Sequence, residues 1–153
     1  MTTRITFPSD LEIAMARDFA APRQLVFDVL TKPEHVRKTM ASFGERVTRC
    51  ESDVRVGGEY RNVFVTDRGI ECSFRGTFLE VDPPNKTVAT WQFDGWPDAP
   101  AIETMELAEQ GGITTYTWRL AFRDATGRSR MTKYDGPEAH MEILDAYLQS
   151  LVR

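Results

Sequence analysis

Tyr60-Arg61-Asn62-Val63-Phe64-Val65-Thr66-Asp67-Arg68-Gly69-Ile70-Glu71-Cys72-Ser73-Phe74-Arg75-Gly76-Thr77-Phe78 reads as a β-hairpin. Tyr60, Asn62, Phe64 and Thr66 alternate on one face, and Cys72, Phe74, Gly76 and Phe78 alternate on the other arm. Asp67-Arg68-Gly69 joins the arms, with glycine where a positive φ is needed. That connection sets Phe64 opposite Cys72 and Asn62 opposite Phe74, so the even positions of both strands share a face. Gly76 on that face predicts a gap between Phe74 and Phe78.

Working outward, the strand pattern continues on both sides. Val47 to Cys50 is a weak strand, and Gly57-Gly58 is a turn or bulge. Beyond the hairpin, Asp82-Pro83-Pro84-Asn85 turns the chain into a strand over Thr87–Phe93. Asp94–Pro100 is a surface loop by its Gly and Pro. Met105 and Leu107 mark the next strand. Tyr116, Trp118, Leu120 and Phe122 mark the last one, after a turn at Gln110-Gly111-Gly112. Near the N-terminus, Leu11, Ile13, Met15 and Phe19 give a strand. Two short helices follow, near 22–30 and 33–40, separated by Lys32-Pro33. At the other end a short helix over Arg128–Tyr134 leads to a long one from about Pro137 to Val152. The long helix carries Met141, Leu144, Leu148 and Leu151 at helical spacing.

This order, one strand, two helices, a run of strands and a terminal helix, predicts an α+β domain. Six to seven antiparallel strands cannot bury both faces, and the terminal helix laid across one face is the economical solution. Residues 1–10 read as an N-terminal extension to a single domain over 11–153.

Three segments resemble the START-like (SRPBCC, helix-grip) superfamily, in the branch named for activators of the heat-shock ATPase. They are Phe19-Ala20-Ala21-Pro22-Arg23-Gln24-Leu25-Val26-Phe27-Asp28-Val29-Leu30-Thr31-Lys32-Pro33-Glu34-His35, Asp53-Val54-Arg55-Val56-Gly57-Gly58-Glu59-Tyr60, and Phe74-Arg75-Gly76-Thr77-Phe78-Leu79-Glu80-Val81-Asp82-Pro83-Pro84. The resemblance spans about residues 11 to 152 and implies a curved sheet gripping the terminal helix. Where this branch often carries a tryptophan pair, this chain reads Lys38-Thr39-Met40-Ala41-Ser42-Phe43. The segments look like turn and packing positions, so the resemblance speaks to fold more than to activity.

Composition excludes several functions. The net charge is −4 and no basic stripe is visible, which argues against nucleic acid and anionic membrane surfaces as partners. No run approaches the apolar length of a membrane helix, and no signal core opens the chain, so the expectation is a cytoplasmic protein. Cys50 and Cys72 are far apart in sequence and distant from His35 and His140, so no metal site is expected and no cofactor motif is present. Neither histidine has a nucleophile at a triad spacing. Both read as exposed helix residues. Asp53, Arg55 and Glu80 read as turn and ion-pair residues, and Arg123, Arg128, Arg130 and Lys133 as a solvated face.

What remains is the aromatic inventory. The sequence predicts a cavity between the concave face and the terminal helix, lined by Tyr60, Phe64, Phe74, Phe78, Trp91, Met105, Trp118 and Met141, with Asn62, Glu103 and Tyr116 as inward polar groups. The leading reading is a non-enzymatic protein that binds a hydrophobic or amphipathic small molecule. A protein-interaction module acting on a protein partner, as the resemblance implies, is a second. A cyclase- or dehydratase-like enzyme is a third, but no catalytic set is recognisable.

Overall fold

The computed structural model describes residues 2–40, 46–132 and 136–152. Eight strands run β1 (Arg4–Ser9), β2 (Glu12–Phe19), β3 (Arg46–Ser52), β4 (Glu59–Val65), β5 (Glu71–Asp82), β6 (Lys86–Phe93), β7 (Ala101–Gln110) and β8 (Ile113–Phe122). Four helices accompany them: α1 (Arg23–Thr31), α2 (Pro33–Met40), α3 (Ala125–Thr132) and α4 (Gly136–Val152). The strands form one antiparallel sheet in the order β1-β2-β8-β7-β6-β5-β4-β3. The chain crosses once, through α1 and α2, from β2 to the far edge, and then returns by meander until β8 closes against β2.

Among the described residues the strands number eight, not six to seven. The extra one is β1, within the first ten residues, which pairs with β2 through Arg4–Ala16, Ile5–Met15 and Thr6–Ala14. Its Arg4–Ser9 run is mostly exposed, so no apolar alternation announces it. Pairing to an existing edge, a tertiary event, makes it a strand. The central hairpin has the expected register: Phe64 faces Cys72 and Asn62 faces Phe74. Gly69 has φ +78°, and its N–H donates to Thr66 O at 2.9 Å.

Gly76 departs from expectation. A Cβ there would fall on the Thr90 carbonyl oxygen, far inside van der Waals contact, and 2.6 Å from Tyr60 Cε1. The missing side chain therefore makes no room for a ligand. It lets the β6 backbone and the Tyr60 ring close over β5. Tyr60 Oη donates to Thr90 O (3.1 Å), and the Thr77 N–H donates to Thr90 Oγ1 (2.8 Å).

Two apolar clusters hold the layers together. In the first, Met141, Leu144 and Leu148 of α4 meet Met15, Phe19, Met105, Leu107 and Tyr116 of the sheet and Val26, Phe27 and Val29 of α1. Leu151 lies beyond this contact and is exposed. In the second, Met131 of α3 meets Ile13, Trp91, Ala101, Leu120 and Phe122. Asp124 Oδ1 accepts the Thr126 N–H near the start of α3, which begins earlier than the sequence suggests; positions 133 and 134 lie outside the described residues.

Arg17 interrupts the apolar face of β2 yet is 1% exposed. Its guanidinium donates to Glu142 Oε1 (2.6 Å) and Asp145 Oδ2 (3.0 Å), clamping α4 to the sheet. On the far side His35 Nδ1 and Tyr147 Oη share a 2.6 Å hydrogen bond, which ties α2 to α4. His35 is thus a half-buried joint, not a free surface residue. No helix among the described residues is long and apolar enough to cross a membrane.

Candidate functional site: the pocket under the terminal helix

The inner faces of β3 to β8 carry alternate residues of each strand, and the end of α1, α2 and the start of α4 roof them. Between these surfaces lies a pocket of about 340 Å³. Its wall includes Tyr60, Phe64, Phe74, Phe78, Trp91, Met105, Trp118 and Met141, together with Asn62, Glu103 and Tyr116. Strand parity explains the gathering. Residues 60, 62 and 64 on β4, 74 and 78 on β5, 103 and 105 on β7, and 116 and 118 on β8 all point the same way.

The rings form a continuous wall. Phe74 stacks on Phe64 and on Phe93 with centroids 5.9 and 5.0 Å apart, and tilts against Trp91 at 5.7 Å. Trp96 closes this wall edge-on to Phe93 at 5.2 Å. It belongs to the Asp94–Pro100 segment, where sequence periodicity ends, so no pattern flagged it. The roof residues Val29, Leu30, Pro33, Val36 and Met40 were missed as well, because a short amphipathic helix looks alike whether it covers a core or a pocket. Of the Lys38–Phe43 stretch, Thr39 and Met40 line the pocket, and residues 41–43 lie outside the described residues.

The polar groups are few. Glu103 Oε2 accepts the Trp118 indole N–H at 2.8 Å. Burial raises the Glu103 carboxyl above its usual range, and the indole hydrogen bond only partly offsets this. Burial also pushes the Tyr60 and Tyr116 phenols up, with the nearby Glu103 charge adding to it. Both cysteines face the pocket as free thiols, pushed up by burial. Among the described residues no group of three or more His, Cys, Asp or Glu side chains could hold a metal ion.

His140 is a correction. It reads as an exposed helix histidine, but the α4 turn that presents Met141 also turns His140 into the pocket wall. Burial lowers its pKa to about 4. The folded protein therefore favours the neutral imidazole, while the unfolded chain binds the proton near pH 6.5. The associated stability is complete above about pH 6.5 and lost as the pH falls through about 4, roughly 3 kcal/mol in all. Denaturant unfolding at pH 7 and pH 4 checks this. The parent is expected to lose about 3 kcal/mol more than His140→Leu across that interval, and equal losses would refute it.

The charged residues elsewhere serve the scaffold. Arg55 pairs with Asp53 (2.7 Å) and Lys86 with Glu80 (3.5 Å). Arg130 pairs with Asp98 (2.7 Å), and Arg128 donates to Ser9 O and lies over the Phe7 ring. Lys133 lies outside the described residues.

A family model described as "Activator of Hsp90 ATPase homolog 1-like protein" matches residues 20–149. No curated protein matches the sequence. Solved structures share the fold at low identity. A Rhodobacter sphaeroides protein superposes with TM-score 0.88 at 20% identity, covering 98% of this chain and 99% of that one. An Arthrobacter aurescens protein gives 0.82 at 16%, covering 96% and 91%. A Nitrosomonas europaea protein gives 0.77 at 23%, covering 94% and 97%.

Proposed function

The chain belongs to the Activator of Hsp90 ATPase homolog 1-like family, and from that premise we propose that it binds a hydrophobic or amphipathic small molecule between its sheet and α4. One observation carries this reading: the curved sheet leaves about 340 Å³ beneath the helix, walled by aromatic rings and a few polar groups. Small-molecule sites are usually of this kind, from about 300 Å³ upward and mostly apolar. The ligand site comprises Tyr60, Phe64, Phe74, Phe78, Trp91, Met105, Trp118 and Met141. Of the exposed large apolar residues, Phe7 lies on β1, Ile70 beside the hairpin turn, Leu79 on β5 and Ile102 on β7, while Ile143, Leu151 and Val152 share α4.

Three tryptophans on the wall make the test direct. Titration with apolar ligands of several classes is expected to change the intrinsic fluorescence saturably. Cys72→Phe places a ring in the pocket and is expected to weaken binding about tenfold or more, through loss of ligand burial. A parent signal unchanged by every class would defeat the reading.

A second reading draws on Glu103 and His140, two titratable groups with displaced protonation facing one apolar space. It is a proton-transfer enzyme of the cyclase or dehydratase kind. Mass analysis of bound ligand after prolonged incubation separates the two, since a binding protein returns it unchanged.

A further inference from the structure

We propose that the pocket takes a hydrophobic molecule carrying a basic nitrogen, with Glu103 as its counter-ion. This rests on the binding reading above and narrows it to a ligand class. Glu103 lies mid-strand between the buried Ala101 and Met105 on the inner face of β7. Among the described residues that line the pocket, it is the only carboxylate, and none is Lys or Arg. Its hydrogen bond comes from a neutral indole on Oε2. Oε1 makes no hydrogen bond with any described residue.

The same chain shows how it treats a buried charge that serves the scaffold. Arg17 is closed off by two carboxylates on α4. Among the described residues Glu103 has no cationic partner, and it faces the pocket, where a ligand can supply one. An ammonium arriving with a ligand would complete the pair and reverse the upward push of burial on the carboxyl. The walls suit the same charge. Trp91 and Trp96 line the pocket, and aromatic rings attract cations over their faces, most strongly for tryptophan. A carboxylate ligand would meet Glu103 with no cation between them. A neutral alcohol could hydrogen-bond to Glu103 but would gain nothing from its charge.

Three probes with one apolar body separate these cases: 2-(1-naphthyl)ethylamine, 2-(1-naphthyl)ethanol and 1-naphthylacetic acid, titrated calorimetrically at pH 7. The amine is expected to bind about tenfold tighter than the alcohol or better, the advantage of a charge-assisted hydrogen bond over a neutral one, and the acid weakest. Glu103→Gln, folded by circular dichroism, is expected to erase the amine's advantage and leave the alcohol nearly unchanged. An alcohol equal to the amine, a tighter acid, or an advantage that survives in Glu103→Gln would overturn the assignment while leaving the pocket reading in place. If none of the three binds, this inference is overturned, while the pocket reading stands or falls on the wider ligand titration above. The ranking in the parent protein decides the matter even if the variant does not fold.

Discussion

Gly76→Ala is expected to destabilise the protein by about 3 kcal/mol or more, at the top of the range for inserting bulk into a packed site and beyond. The added methyl meets backbone, which no rotamer change can move aside. Thr90 O occupies the space, and it already accepts the Tyr60 hydroxyl at 3.1 Å. Lifting β6 away would break that bond and the Thr77 N–H to Thr90 Oγ1 bond, at roughly 0.5–1.5 kcal/mol each, as well as opening the neighbouring core. Gly69→Ala is the matched control. Its φ of +78° strains an alanine, but nothing lies within 4 Å of the added carbon. A cost of about 1–2 kcal/mol is expected there. Guanidinium unfolding of the parent and both variants checks the order. A Gly76→Ala protein as stable as the parent would show that the strands do not close over this residue.

Leu148→Ala is expected to cost about 2–5 kcal/mol, the range for emptying a buried leucine site. Leu148 is fully buried in the cluster that joins α4 to α1 and the sheet, and Leu144 is 1% exposed beside it. The cost should fall in the upper part of that range. Arg17, bonded to Glu142 and Asp145, pins α4 on both sides of Leu144, so the helix cannot settle into the space left behind. Leu151→Ala, three residues on and 40% exposed, is expected to change stability by less than about 0.5 kcal/mol. Denaturant midpoints measured together give the contrast. A Leu148→Ala loss below about 0.5 kcal/mol would mean that α4 does not grip the sheet as described.

The two variants mark the boundary between local pattern and tertiary context. Leu144 and Leu148 were legible because helical spacing repeats, and a repeated apolar stripe must find a surface to cover. The hairpin register was legible for the same reason: a period of two and a short turn leave one pairing that keeps Tyr60, Asn62, Phe64, Phe74 and Phe78 on one face. Gly76 was misread because an absent side chain carries no sign of what fills its place. Only the approach of β6 shows that the occupant is backbone rather than ligand.

By itself, then, the sequence determined the α+β class, the strand faces, the apolar stripe of α4 and the aromatic residues that meet inside. These follow from periodicity, which is a property of neighbours along the chain. The tertiary structure alone decided the rest. It made a strand of the exposed Arg4–Ser9 run by offering it an edge, and it buried Arg17 by placing Glu142 and Asp145 more than a hundred residues away within reach. It turned His140 inward and brought Trp96 back from a loop to the pocket wall. Each of these depends on groups remote in sequence. Their free energy lies in pairing and desolvation, and neither exists until the sheet has curved around the helix.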